Sequence, residues 1–296
     1  MIRIYDRESG NYETEKVVGE KYLKWVYETP VGQGLLEAVV KRKLFSSLYG
    51  KLMDRPGSRK MIPEFIRENG IDMEESLLPA EAFGSFNDFF TRKLKPEKRP
   101  FSRYAGDFIS PADGRLLAYT GIDTENLVQI KGFTYSLKEL VGDIGLLERF
   151  QDGIMMVFRL CPLDYHRFHF PDSGICSKPH EIRGSYYSVN PLALARTPRV
   201  YVENKRVFSL MRSDHFGDIL YVEVGATNVG TIVQTYAPSR RFERGSEKGY
   251  FRFGGSTVIL FMQKDSVSLH DDILRESGSG IETHVRFGET IGEKKS

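Results

Sequence analysis

Phe251-Arg252-Phe253-Gly254-Gly255-Ser256-Thr257-Val258-Ile259-Leu260-Phe261 decides the fold class. A five-residue run of β-branched and large apolar side chains, preceded by two glycines, reads as a buried strand with a tight turn at its start. Four further runs share this grammar and are separated by Gly, Asp and Asn: Gly114–Tyr119, Ile154–Leu160, Asp218–Val224 and Gly230–Gln234. From about residue 105 the chain therefore reads as a β-sheet core. Upstream the pattern is helical. Leu36, Val40, Leu44, Leu48 and Leu52 recur every four residues, with Lys41, Arg42, Lys43 and Lys51 at other positions. Asp54-Arg55-Pro56-Gly57-Ser58 breaks that helix, and Ile62–Arg67 begins a shorter one. The predicted class is α+β, with N-terminal amphipathic helices followed by a β-sheet core. The domain reading is a basic helical region over 1–80 and a core over 81–296.

Composition bounds the function. At 296 residues, 40% hydrophobic and 28% charged, the chain is long enough for a sizeable core and is not of a disordered or collagen-like type. Its net charge of +2 is too small for a chain devoted to coating nucleic acid. The charge is unevenly placed: residues 21–60 hold nine Lys or Arg against Glu28, Glu37 and Asp54, a local excess of +6. That stretch fits either a bundle helix or a basic amphipathic segment lying on an anionic lipid surface, and Trp25, Tyr22 and Tyr27 suit both. A second basic cluster, Thr91–Pro100, follows the aromatic run Phe86–Phe90. Two cysteines, Cys161 and Cys176, exclude a disulfide framework and fit a reducing compartment. No apolar run reaches the roughly 18 residues of a membrane span, and MIRIYDRESGNYETEK lacks the order of a signal peptide. The expected location is cytosolic, or peripheral on a membrane.

Three places carry reactive groups. Ser110-Pro111-Ala112-Asp113-Gly114 holds an Asp-Gly dipeptide, by itself a common turn. Asp164-Tyr165-His166-Arg167-Phe168-His169-Phe170-Pro171 places two of the chain's six histidines three apart, directly after a predicted strand. Such a pair suits a metal site, acid/base work or a solvated loop. A metal would need further ligands such as Asp164 or His180, and the spacing matches no established zinc pattern, so none is expected. At Gly254-Gly255-Ser256 a serine hydroxyl adjoins an unshielded peptide carbonyl. Asp113, His169 and Ser256 supply the residue types of an Asp-His-Ser relay, whose members need proximity in space only. One use of that set is a hydrolase acting on external substrates, although Val258 stands where Gly-x-Ser-x-Gly needs its second glycine.

Five blocks in one order narrow the choice: Ser85–Pro96, Pro111–Gly114, Asp164–Pro171, Val224–Gly230 and Lys248–Thr257. Over about residues 84–290 the sequence resembles the pyruvoyl-dependent phosphatidylserine decarboxylases, bacterial type, in the form of an uncleaved proenzyme. Many members read Leu-Gly-Ser-Thr at the processing site. This chain reads Gly-Gly-Ser-Thr, which keeps the Gly-Ser bond.

The resemblance implies autocatalytic cleavage. Ser256 Oγ attacks the Gly255 carbonyl, the peptide becomes an ester, and elimination leaves a dehydroalanine that hydrolyses to a pyruvoyl group with loss of ammonia. The products would be a beta chain, 1–255, and an alpha chain, 256–296. His169 resembles the base of that step, with Asp113 fixing its tautomer. The covalent pyruvoyl derived from Ser256 then forms a Schiff base with phosphatidylserine, CO2 leaves, and phosphatidylethanolamine is released. His166 is the candidate for protonation or for positioning the carboxylate. The resemblance also implies a homodimer of cleaved units, peripheral on the cytoplasmic face of an anionic cell membrane. Another pyruvoyl enzyme acting on a soluble amino acid is the remaining alternative.

Overall fold

The computed structural model describes residues 2–15, 25–35, 50–128, 134–142, 145, 147–194, 199–226, 232–254 and 256–295. The amphipathic repeat from Leu36 to Leu48, the block residues Thr227–Gly230 and Gly255 lie outside them.

The β core is present and large. Among the described residues an 11-stranded sheet has at its centre the order Arg206–Ser213, Asp218–Gly225, Ser256–Met262, Ile154–Leu160, Gly114–Thr120 and Glu282–Val285. These neighbours are all antiparallel. Every residue of Ser256–Met262 is buried, which explains its unbroken apolar run: both faces are covered. Val258, Leu260 and Met262 join one core with Phe158, Phe168 and Phe251. Ile259 and Phe261 join a second core on the opposite face, with Val157, Leu220, Tyr187 and Tyr201.

The first face is covered in part by a three-stranded sheet, Ile232–Gln234, Glu247–Phe251 and Arg167–His169, which carries the second histidine of the pair. Helices are short and lie outside the sheets. The predicted helix at Ile62 runs over Ile62–Asn69 and ends at Gly70 with φ 66°, a left-handed cap that suits glycine. Among the N-terminal residues, Val26 and Tyr27 are buried in the second core, and the Tyr27 hydroxyl accepts the Ser188 N–H at 3.0 Å. Leu52, the last member of the leucine repeat, is exposed.

The sequence reading did not anticipate how the chain starts. Arg3–Asp6 and Asn11–Thr14 form a hairpin on one edge of the large sheet. Its first strand runs parallel to Glu282–Val285. A four-residue strand whose partner lies near the other end of the chain leaves little local signal.

Two buried ionic features tie these layers together. Arg115 and Arg159 face each other across adjacent strands. Glu15 bridges them, at 3.0 Å from Arg115 Nε and 2.8 Å from Arg159 Nη2. Arg159 Nε also donates to Glu282 at 2.8 Å, and Arg115 pairs with Asp164. Lys248 and Glu223, both fully buried, join the small sheet to the large one at 2.5 Å. The Lys248 ammonium also donates to Gln234 at 3.0 Å and lies 4.5 Å from the Tyr221 ring centre. Removing one partner of such a pair strands a buried charge. Lys248→Met is therefore expected to lower unfolding free energy by about 3–5 kcal/mol, whereas Lys248→Met with Glu223→Leu recovers most of that loss. Urea midpoints of the three proteins check this.

Candidate active site

Ser256 opens the central strand, between Gly225 on one neighbour and Leu160 on the other. It is fully buried, and its Oγ has no hydrogen-bond partner among the described residues. An unsatisfied buried hydroxyl costs stability, and Ser209, Thr257 and Thr283 carry one too, so at Ser256 the adjoining Gly-Ser peptide bond is what gives it significance. The chain arrives there by a constrained route. Gly254 has φ 135°, a backbone conformation that side chains other than glycine resist. Phe253 is gripped by the helix Phe86–Phe90: its ring lies 4.9 Å from both Phe86 and Phe90, and its N–H donates to Asn87 Oδ1 at 3.0 Å. Ser85 caps that helix by accepting the Asp88 N–H at 3.1 Å.

His166 is fully buried beside this segment. Its Nδ1 lies 2.8 Å from the Asp164 carbonyl. A carbonyl only accepts, so Nδ1 carries the proton and Nε2 the lone pair. Nε2 has no partner of hydrogen-bond geometry, while the Gly254 main chain lies close enough to act on the ring. The Phe90 ring packs at 4.0 Å. Burial pushes the imidazole down to about 4, so it is neutral at pH 7.

His169 ends the strand Arg167–His169. Its Nδ1 lies 2.9 Å from the Gly245 carbonyl, which assigns the proton to Nδ1, and Nε2 accepts from the Tyr165 hydroxyl at 3.3 Å. The ring stacks on Phe287 at 3.7 Å, and burial again pushes its pKa down to about 4. Asp113 is close but engaged elsewhere. Arg99 Nη2 donates to it at 2.7 Å and the Phe287 N–H at 2.8 Å. Arg99 in turn holds Glu75 at 3.0 Å.

The structure thus brings Asp113 and His169 into one buried cluster through Phe287, and brings His166 to the segment ahead of Ser256. Among the described residues no hydrogen bond joins Asp113 to His169 or His169 to Ser256. The Gly245 carbonyl sets the His169 tautomer here, the task the sequence reading gave to Asp113. His180, weighed as a further metal ligand, sits on another strand and stacks on Phe208. Sequence reasoning missed Asn87, Arg99, Tyr165 and Phe287. Only the Ser85-x-x-Asp88 capping signature offered a local hint, by marking the helix that holds Phe253.

A pyruvoyl group needs a serine hydroxyl next to a peptide carbonyl in a site that excludes bulk water. The unpartnered, buried Ser256 hydroxyl and the glycine-only turn at Gly254 fit that requirement.

The two imidazoles also couple the fold to pH. The folded protein resists protonating them until about pH 4, whereas an unfolded chain binds those protons near 6.5. Their stabilisation is complete above pH 6.5 and is lost as pH falls toward 4. In a Ser256→Ala background, where neither protein cleaves, His169→Gln is expected to remove on the order of 3 kcal/mol from the acid-side fall in stability. Urea titrations at pH 7 and pH 4.5 on both proteins measure the difference.

Comparison with known proteins identifies the family. The sequence model of a family described as phosphatidylserine decarboxylase matches residues 86–293. The chain is 53% identical over 294 residues to a phosphatidylserine decarboxylase proenzyme of Clostridium botulinum (strain Alaska E43 / Type E3), covering 99% of each. It is 52% identical over 294 residues to that of Clostridium perfringens (strain SM101 / Type A), covering 99% of this chain and 100% of the relative. With the proenzyme of Desulfitobacterium hafniense (strain Y51) it shares 51% over 292 residues, 99% of this chain and 98% of the other. Since these alignments run nearly end to end and the matched span takes in both histidines and the Gly-Ser pair, the chain belongs to the phosphatidylserine decarboxylase family.

Proposed function

We infer that the chain decarboxylates phosphatidylserine to phosphatidylethanolamine and CO2, using a pyruvoyl group made from its own Ser256. The observation that carries this is the buried, unpartnered Ser256 hydroxyl at the Gly-Ser junction of a full-length family member. The pyruvoyl carbonyl supplies an electrophile for the substrate amine and a sink for the electrons left by CO2. The hydrolase alternative has no support among the relatives, which are named as decarboxylase proenzymes.

In this reading Ser256 is the nucleophile of self-cleavage at Gly255-Ser256, and His169 takes its proton. Neutrality at pH 7 suits His169 to that task. The Tyr165 hydroxyl must first leave Nε2, because that nitrogen has a single lone pair. Asp113 acts on His169 by charge, held in place by Arg99 and the Phe287 N–H. His166 serves the mature reaction from beside Gly254, where its Nε2 makes no well-formed hydrogen bond among the described residues. Burial of the whole cluster excludes water and fixes the orientation of reacting groups.

The assignment to two regions, 1–80 for docking and 81–296 for chemistry, belongs to the same proposal, as do the homodimer and the cytoplasmic membrane face. No helix among the described residues is long and apolar enough to cross a membrane. Exposed Trp25, Val31, Leu52 and Met61 support an apolar contact with lipid, and the +6 stretch supplies attraction to an anionic leaflet. Because Val26 and Tyr27 are core residues, charge reversal tests docking better than deletion.

Denaturing intact-mass measurement is the direct test. The expected result is two species that break between residues 255 and 256, the smaller lighter than a serine-started peptide by one ammonia. A chain that stays whole in the presence of anionic lipid would remove the cofactor. Ser256→Ala and His169→Ala are expected to remain single chains, whereas His166→Ala cleaves but releases CO2 at least about 100-fold more slowly. Replacing Lys41, Arg42 and Lys43 by Glu is expected to weaken binding to phosphatidylglycerol vesicles about 10-fold or more, with the fold unchanged. Undiminished vesicle sedimentation would refute docking by this segment.

A further inference from the structure

A cleft of about 290 Å³ opens beside the Asp113 cluster, lined among others by Asp113, Tyr165, Arg99, Arg286 and Arg92. Its cations are nearly all matched. Arg99 holds both Asp113 and Glu75, and Arg286 pairs with Glu8 at 2.5 Å. Arg92 is different. It is only 7% exposed, and its guanidinium makes no hydrogen bond or ion pair among the described residues; its buried Nε has no partner. Its neighbour is an aromatic face, Phe89, 5.0 Å from Cζ. Asp113 and Glu75 act on Arg92 by charge, but both are hydrogen-bonded to Arg99 instead. A buried guanidinium with no hydrogen-bonded counterion is costly, so the position suits an anion from outside the chain.

We propose that Arg92 binds the phosphodiester of the substrate head group in this cleft. The inference rests on the decarboxylase reading and adds the residue that anchors the lipid. Location supports it. Phe90, two residues before Arg92, packs its ring 4.0 Å from His166, and the Arg92 charge reaches the same imidazole. His166 adjoins Gly254 and hence the Ser256 junction. The phosphorus of phosphatidylserine lies only a few bonds from the carbon bearing the amine, so the proposal requires Arg92 and the Ser256 junction to lie within the length of one head group. The substrate has two anionic groups, and chemistry selects between them. An arginine on the carboxylate would stabilise the charge that has to flow out of it, favouring the ground state over the transition state. An arginine on the phosphodiester binds both states alike and contributes affinity without opposing the reaction.

Arg92→Met and Arg92→Lys, each checked by melting temperature, test the assignment in detergent micelles of defined lipid mole fraction. Arg92→Met is expected to raise KM for phosphatidylserine about 30-fold or more with a much smaller change in kcat, and Arg92→Lys to recover most of that loss. Phosphatidylethanolamine keeps the phosphodiester and lacks the carboxylate, so its inhibition constant is expected to rise by the same factor. Weakened substrate binding with unchanged inhibition by phosphatidylethanolamine would place Arg92 on the carboxylate and overturn the proposal. So would an unchanged KM, or failure of both folded variants to self-cleave, which would assign Arg92 to maturation. Wild-type enzyme that releases no CO2 from phosphatidylserine overturns the decarboxylase reading together with this one, whereas the variant outcomes overturn this one alone.

Discussion

Two guanidinium groups that cannot reach solvent govern how the protein is assembled. Arg115 and Arg159 sit opposite each other on neighbouring strands, an arrangement of like charges that is unfavourable without acids between and around them. The acids come from three separate parts of the chain: Glu15 after the N-terminal hairpin, Asp164 from the histidine segment and Glu282 from the last strand of the large sheet in chain order. None of the three can be displaced without leaving a buried charge unmatched. The consequence is registration: the first residues, the histidine segment and the C-terminal strand are fixed relative to one another. The same Asp164 uses its main-chain carbonyl to orient His166, so the direction of that imidazole follows from the ionic cluster beneath it.

The histidines show how similar burial yields different readiness. Both are neutral at pH 7 and both carry the lone pair on Nε2, because a main-chain carbonyl takes the Nδ1 proton in each case. At His166 Nε2 makes no well-formed hydrogen bond among the described residues. At His169 a tyrosine hydroxyl covers it. One ring is open to chemistry while the other is held in reserve by a single hydrogen bond, and the aromatic stack on Phe287 keeps it from turning away.

Much of this was legible before any coordinates. Ile154–Leu160 was read with its observed bounds, and Ser256–Met262 to within a residue at each end, because buried strands of β-branched and aromatic residues have few other uses. Asp113, His166, His169 and Ser256 were legible as residue types that do chemistry. Their geometry was not. Asn87 and Phe90 matter because of what a distant Phe253 does, and Phe287 matters through its backbone N–H, which no sequence pattern marks. The opening hairpin escaped for the same reason: Arg3–Asp6 is a strand only because Glu282–Val285 lies beside it.

The place of the Ser256–Met262 strand has a topological consequence. A break ahead of Ser256 would put two strands of the sheet, Ser256–Met262 and Glu282–Val285, on the 41-residue piece (296 − 255). Between them lie Ile154–Leu160 and Gly114–Thr120 of the other piece. The short chain would straddle the long one, hydrogen-bonded to it along five ladders, four in the large sheet and one between Thr290–Lys294 and Asp107–Ile109. Dissociation would require opening the middle of the sheet, so the two polypeptides would behave as one cooperative body that does not exchange halves between copies.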